Sequence, residues 1–176
     1  MNNPVLLENL RCIPDFPKKG INFRDVTTLY KNPECMKIMV DEMYELYKDK
    51  GITKIVGIES RGFVMAAALA TKLGAGVVLA RKPGKLPATV IKESFSKEYG
   101  VDTVEMHIDS IDENDVVLIH DDLLATGGTA KATLKLANHF HPKKVYMNFI
   151  IEITDEGLHG RDCLEKDVEV TTLMVI

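Results

Sequence analysis

Residues 116–132, VVLIHDDLLATGGTAKA, end an apolar run on two carboxylates and follow them at once with a small, glycine-bearing turn. Ala125, Thr126, Gly127, Gly128 and Thr129 lie where a strand should turn into a helix, so several backbone N–H groups can converge on one point. The amino terminus of a helix adds partial positive charge there, and glycine lets an anion approach the backbone closely. That is phosphate chemistry, although a glycine turn with a threonine cap would read the same way. Asp121 and Asp122 argue against a bare phosphate, since each would repel it by about 1 kcal/mol at 4 Å in water and more when dehydrated. Vicinal hydroxyls, by contrast, are natural partners for carboxylates, as in the grip of an acidic residue on a nucleotide ribose. A sugar 5-phosphate carries both groups, one for the loop and one for the aspartates.

A ligand with further phosphates needs cations, and the chain supplies them locally. Between residues 81 and 98, Arg81, Lys82, Lys85, Lys92 and Lys97 oppose only Glu93 and Glu98. Arg61, at the end of another apolar run, adds a planar fork suited to phosphate oxygens. Lysine-rich loops also form plain solvated faces, and Lys92 and Lys97 fit that description too. Overall, 22 basic and 26 acidic residues give a net charge of −4, so no global field recruits nucleic acid or an anionic membrane. Cys12, Cys35 and Cys163 are odd in number and widely spaced, which points to reduced thiols in a cytoplasmic setting and to no zinc site. The amino-terminal MNNPVLLENLRC lacks the basic and apolar segments of a signal peptide. A nucleoside triphosphatase would need GxxxxGK[ST], but Gly84-Lys85 is followed by Leu86. There is no GxGxxG either.

The elements that must carry these residues alternate. Helical spacing from Pro33 to Lys50 stops at Gly51. KIVGI over Lys54–Ile58 reads as a buried strand, followed by a helix over Gly62–Leu73 and a strand from Val77 to Ala80. The stretch from Gly62 to Ala80 is long enough to span a bilayer, yet Lys72, Gly74 and Gly76 favour helix, turn and strand. A strand from Val116 to Ile119, a helix over Gly128–His139, and strands at residues 145–151 and 168–176 complete the set. Apolar strands separated by helices predict a single α/β domain, a mostly parallel sheet flanked by helices on both faces. Residues 1–30 form an arm outside this rhythm, and 81–110 form a polar insertion. In such sheets ligands sit beyond the carboxyl ends of the strands, where the suggestive stretches fall.

The apolar strand, the two acidic residues and LLATGGT resemble the phosphoribosyl pyrophosphate signature of the type I phosphoribosyltransferases. PDFPKKGINFRD (14–25), GIESRGF (57–63), RKPGKLP (81–87) and KEYG (97–100) make the chain similar to the adenine phosphoribosyltransferases from about residue 14 to 164. The resemblance implies transfer of a phosphoribosyl group from phosphoribosyl pyrophosphate to adenine, giving AMP and pyrophosphate, with Mg²⁺ held mainly by the substrate and a homodimeric assembly. It implies that Asp121, Asp122 and 125–129 hold the phosphoribosyl group, and that Glu59, Ser60, Arg61, Arg81, Lys82 and Lys85 face pyrophosphate. It further implies a cis peptide at Glu59–Ser60, base contacts from Phe23 and Arg24, Tyr99 beside the sugar, and Glu98 exchanging a proton with adenine N7. Residues 81–110 would close over the substrates, although a static hairpin would look the same.

Several features depart from that pattern or stand outside it. His120 occupies a position that is usually apolar, and a lone strand-end histidine is most simply a satisfied structural residue. LHGRDCL (158–164) resembles a family segment but offers no chemistry on its face. Valine at Gly127 is expected to block the loop while leaving the fold intact. Transfer to xanthine, guanine, hypoxanthine or orotate stays open, because base choice rests on a few hydrogen bonds. A non-catalytic regulator would need a DNA-reading module, for which about thirty residues ahead of the first long helix leave little room.

Overall fold

The computed structural model describes residues 2–97, 100–154 and 157–176. The arm is more ordered than its punctuation suggests. It contains α1 (Pro4–Asn9), a two-stranded antiparallel ribbon of β1 (Arg11–Ile13) and β2 (Phe23–Asp25), and the short α2 (Thr27–Tyr30). Helix α3 (Pro33–Tyr47) starts on Asn32, whose side chain accepts from the N–H groups of Glu34 and Cys35. It buries Cys35, Met39, Met43 and Tyr47 and ends before the expected Lys50.

The strands β3 (Lys54–Ile58) and β4 (Gly76–Ala80) flank α4 (Gly62–Leu73), which closes on Gly74 in the left-handed region at φ 72°. The insertion is an antiparallel hairpin of β5 (Val90–Lys97) and β6 (Gly100–His107). Then follow β7 (Val116–Leu124), α5 (Gly128–His139), β8 (Lys144–Glu152), a 3₁₀ turn (Gly160–Cys163) and β9 (Glu169–Val175). The central sheet has the order β4-β3-β7-β8-β9, parallel throughout. One core lies between the sheet and α3 with α4, and the other between the sheet, α5 and the hairpin, as both-face coverage requires.

The chain leaves β3 toward β4 on one side and re-enters as β7 on the other. Order therefore reverses between β3 and β7, and crevices in open sheets form at such a point. Strand β7 also runs further than its apolar residues predict. Its pairing with β3 ends at Gly57 opposite His120, whereas its pairing with β8 continues to Leu124 opposite Glu152. Asp121 and Asp122 are thus strand residues with one edge open to the crevice. No helix among the described residues is long and apolar enough to cross a membrane, and residues 62–80 fold as helix, turn and strand.

Candidate active site

Two loops meet across the switch point: residues 59–61 after β3 and residues 125–127 after β7. Alternation along β7 sends its two carboxylates to opposite sides. Asp122 is buried, and its Oδ2 lies 2.7 Å from Arg61 Nε, an ion pair without hydrogen-bond alignment. Asp121 lines a recess with Glu59, Arg81, Lys82 and Thr129, and an adjoining one with residues 123–130. Its Oδ1 accepts from the Asp122 N–H at 2.9 Å. Burial pushes both carboxyls above the ordinary carboxylate range. The charge of Asp122 adds to the rise at Asp121, and Arg61 opposes the rise at both.

The two helices that start behind these loops both begin without a side-chain cap, as the short α2 does. Asn3 and Asn32 cap α1 and α3. In α4 the Phe63 and Val64 N–H groups donate to the Ser60 and Arg61 carbonyls at 3.3 Å each, whereas the start of α5 lines the recess beside Asp121, where an anion can meet its first-turn N–H groups. Gly127, at φ 78°, leads into α5. A Cβ on it would collide with Cys163 Sγ and the Gly160 carbonyl, behind the loop and away from its recess. Valine at 127 therefore strains the fold itself, contrary to the expectation of an intact fold. A Cβ on Gly128 would lie 2.9 Å from the Phe95 ring, so the hairpin packs directly on the start of α5.

The Glu59–Ser60 peptide is cis, as the resemblance implies. Glu59 points its carboxylate away from the loop, accepting from Arg81 Nε and Nη2 at 3.2 Å each and from the Lys82 N–H at 2.9 Å. Although burial works the other way, these bonds hold its pKa below the ordinary value. Arg81 Nη1 also donates to the Lys85 carbonyl at 3.2 Å, while the Ser60, Lys82 and Lys85 residues are exposed. Arg81 exchanges backbone bonds with Glu105, which ties the root of the hairpin to the end of β4.

The arm reaches the same crevice. The Arg61 guanidinium sits 5.4 Å from the Phe23 ring centroid, and Phe16 meets Phe23 edge-on at 5.3 Å. Arg24 is buried, with Nη1 donating to the Asn22 carbonyl at 3.4 Å. Asp25 accepts from Arg11, and those bonds outweigh burial to bring its pKa down to about 2. Tyr30, which local sequence does not single out, donates its hydroxyl to the Arg61 carbonyl at 3.1 Å and lies near both aspartates. His120 is fully buried, with Nδ1 3.0 Å from Asn148 Oδ1, and burial lowers its pKa to about 4. It is neutral near pH 7 and so supplies no charge to the crevice. Glu98 and Tyr99 lie outside the described residues.

The structure thus brings Asp121, Asp122, the 125–129 loop, the 59–61 loop, Arg81, Lys82 and the Phe23 arm to one crevice. The chain matches the phosphoribosyl transferase domain family over residues 25–167. That match, with the parallel sheet and the DDLLATGGT crevice, defines a type I phosphoribosyltransferase.

More particular relatives narrow the class. An adenine phosphoribosyltransferase of Phocaeicola vulgatus is 60% identical over 176 residues, covering all of both chains. The crystal structure of the Rhodothermus marinus adenine phosphoribosyltransferase is 46% identical with a TM-score of 0.91, covering 98% of this chain and 97% of that one. The Giardia lamblia APRTase complexed with 9-deazaadenine is 39% identical with a TM-score of 0.92, covering 100% and 98%. The chain belongs to the adenine phosphoribosyltransferases.

Proposed function

We propose that the crevice between β3 and β7 holds phosphoribosyl pyrophosphate while this chain transfers the 5-phosphoribosyl group to adenine, forming AMP and releasing pyrophosphate in purine salvage. The observation that carries this reading is the adjacency of Asp121 and Asp122 to an uncapped helix start at 127–129. The N–H groups and hydroxyls of 126–129 hold the 5-phosphate, and the aspartates accept from the ribose hydroxyls. The backbone of Glu59–Ser60 and the cations Arg61, Arg81, Lys82 and Lys85 face pyrophosphate. Glu59 contributes by aiming Arg81 and the Lys82 N–H. Phe23 and Arg24 hold the base.

Breaking the anomeric bond leaves positive charge on the sugar and negative charge on pyrophosphate, and fixed groups of opposite sign stabilise both. The buried carboxylates sit under the sugar, and the cations flank the leaving group. Glu98 exchanges a proton with adenine N7, and Tyr99 lies beside the sugar. Among the described residues no group of three or more His, Cys, Asp or Glu could hold a metal ion. Mg²⁺ would ride on substrate oxygens and, when bound, neutralise part of the pyrophosphate charge. The hairpin of residues 81–110 shields the reaction from water. The enzyme works as a homodimer in the cytoplasm.

The test is pyrophosphate release from phosphoribosyl pyrophosphate and Mg²⁺ with adenine, hypoxanthine, guanine, xanthine and orotate in turn. Release with adenine alone is the expected result. Turnover with another base and none with adenine removes the base assignment.

A further inference from the structure

The 3₁₀ turn Gly160–Cys163 lies against the back of the 125–129 loop, on the side away from its recess. The contact is backbone to backbone. A Cβ on Gly160 would collide with the Ala125 carbonyl oxygen and lie 3.0 Å from the Gly127 nitrogen. A Cβ on Gly127 would collide in return with the Gly160 carbonyl. Neither neighbour is the far end of a flexible side chain, so any added carbon must displace the loop itself. Cys163 reinforces the junction, its Sγ donating to the Gly160 carbonyl at 3.0 Å and reaching the Thr126 carbonyl at 3.5 Å.

The turn is fixed to the sheet by one side chain. Arg161 grips the Glu152 carboxylate with Nε at 2.8 Å and with Nη2, and its Nη1 donates to the Val170 carbonyl at 2.8 Å. Glu152 ends β8 and is buried, so the fork roots the turn at the strand that extends β7 past the switch point. Planar pairing of this kind sets direction as well as distance.

We propose that this turn is the positioning element of the 5-phosphate loop, and that Gly160 and Arg161 act through it to set affinity for 5-phosphorylated sugars without touching them. The inference rests on the reading of 126–129 as the phosphate site. Within LHGRDCL, glycine then serves the close approach, arginine the anchor, and cysteine the junction.

The test uses the full chain with Gly160→Ala, Arg161→Gln, Arg161→Lys and, as a direct loop variant, Thr129→Val. Misplacing binding groups by about 1 Å costs up to about a hundredfold, so Gly160→Ala should raise KM for phosphoribosyl pyrophosphate at least about tenfold. KM for adenine should stay within about threefold, because the arm is not displaced. Thermal protection by ribose 5-phosphate should be lost in Gly160→Ala and Arg161→Gln and partly restored in Arg161→Lys. If Gly160→Ala does not fold, the two Arg161 variants carry the same comparison. Equal rises in both KM values, or unchanged ribose 5-phosphate binding in the turn variants while Thr129→Val loses it, would overturn the inference. Unchanged binding in all four variants would instead remove the loop as the phosphate site, and the inference with it.

Discussion

Burial raises the proton affinity of Asp121 and Asp122, and the Arg61 guanidinium, 2.7 Å from Asp122, works against that rise. A carboxyl that holds its proton more tightly when folded contributes stability at low pH that is lost as pH rises through the folded value. At neutral pH the pair therefore costs stability, a common mark of residues kept for binding. Only the ionised form is a pure acceptor for sugar hydroxyls, so affinity for phosphoribosyl pyrophosphate should fall as pH drops through these raised values. The acid limb should lie above the ordinary aspartate value of about 4. Removing the opposing charge moves it further. In Arg61→Gln, KM for phosphoribosyl pyrophosphate measured from about pH 8 to about pH 5 should begin to climb at higher pH than in the unaltered enzyme. The position of the limb is the readout, because the proposed pyrophosphate contact of Arg61 would be lost at every pH. A limb that does not move would mean that Arg61 does not govern the ionisation of Asp122.

At the scale of elements, β7, β8, β9 and α3 are joined by one buried polar chain. Nδ1 of His120 meets Asn148 Oδ1, Asn148 Nδ2 donates to Thr171 Oγ1 at 2.8 Å, and Thr171 Oγ1 lies 2.6 Å from the Tyr47 hydroxyl. Asn148 uses its amide nitrogen on Thr171, so its oxygen accepts, and His120 must carry its proton on Nδ1. Burial holds its pKa at about 4, below an unfolded value near 6.5. Between those values the unfolded chain binds a proton that the folded chain refuses, so stability falls as pH falls from about 6.5 toward about 4, by about 3 kcal/mol. The aspartates act in the opposite sense, and comparison with His120→Gln isolates the histidine. In urea unfolding across this window, the stability of the unaltered protein minus that of the variant should fall as pH falls, and parallel profiles would show that His120 titrates normally. Such couplings mark where sequence reading stops. Helices Gly62–Leu73 and Gly128–His139 were legible because their boundary glycines, Gly74 after the first and Gly127 before the second, are local signals. The end of β7 was not, because two aspartates do not look like strand and only pairing with β8 extends it. The candidate crevice was legible from strand ends and short motifs. Gly160 behind Gly127, Tyr30 on Arg61 and the His120 chain join residues distant in sequence, and no local pattern announces them.

Across the whole molecule, the sheet ends in an edge strand that natural proteins rarely leave bare. Strand β4 buries Val78 and Ala80 on the α5 side, while Val77 and Leu79, pointing to the opposite face, remain 42% and 39% exposed. Helix α4 packs on that same face and leaves Val64 40% exposed. Apolar groups at a sheet edge and on the neighbouring helix suit a partner surface, and a second copy of this chain brings an identical patch, as a two-fold interface requires. The homodimer proposed above is therefore expected to bury β4 and α4. Replacing Val77 and Leu79 with glutamate places like charges opposite one another across such an axis and removes the apolar contact. Sedimentation equilibrium should give twice the chain mass for the unaltered protein and the single-chain mass for the double variant. A dimer that survives both glutamates would put the interface elsewhere, and an unaltered protein that sediments as a monomer would leave this patch without the partner assigned to it.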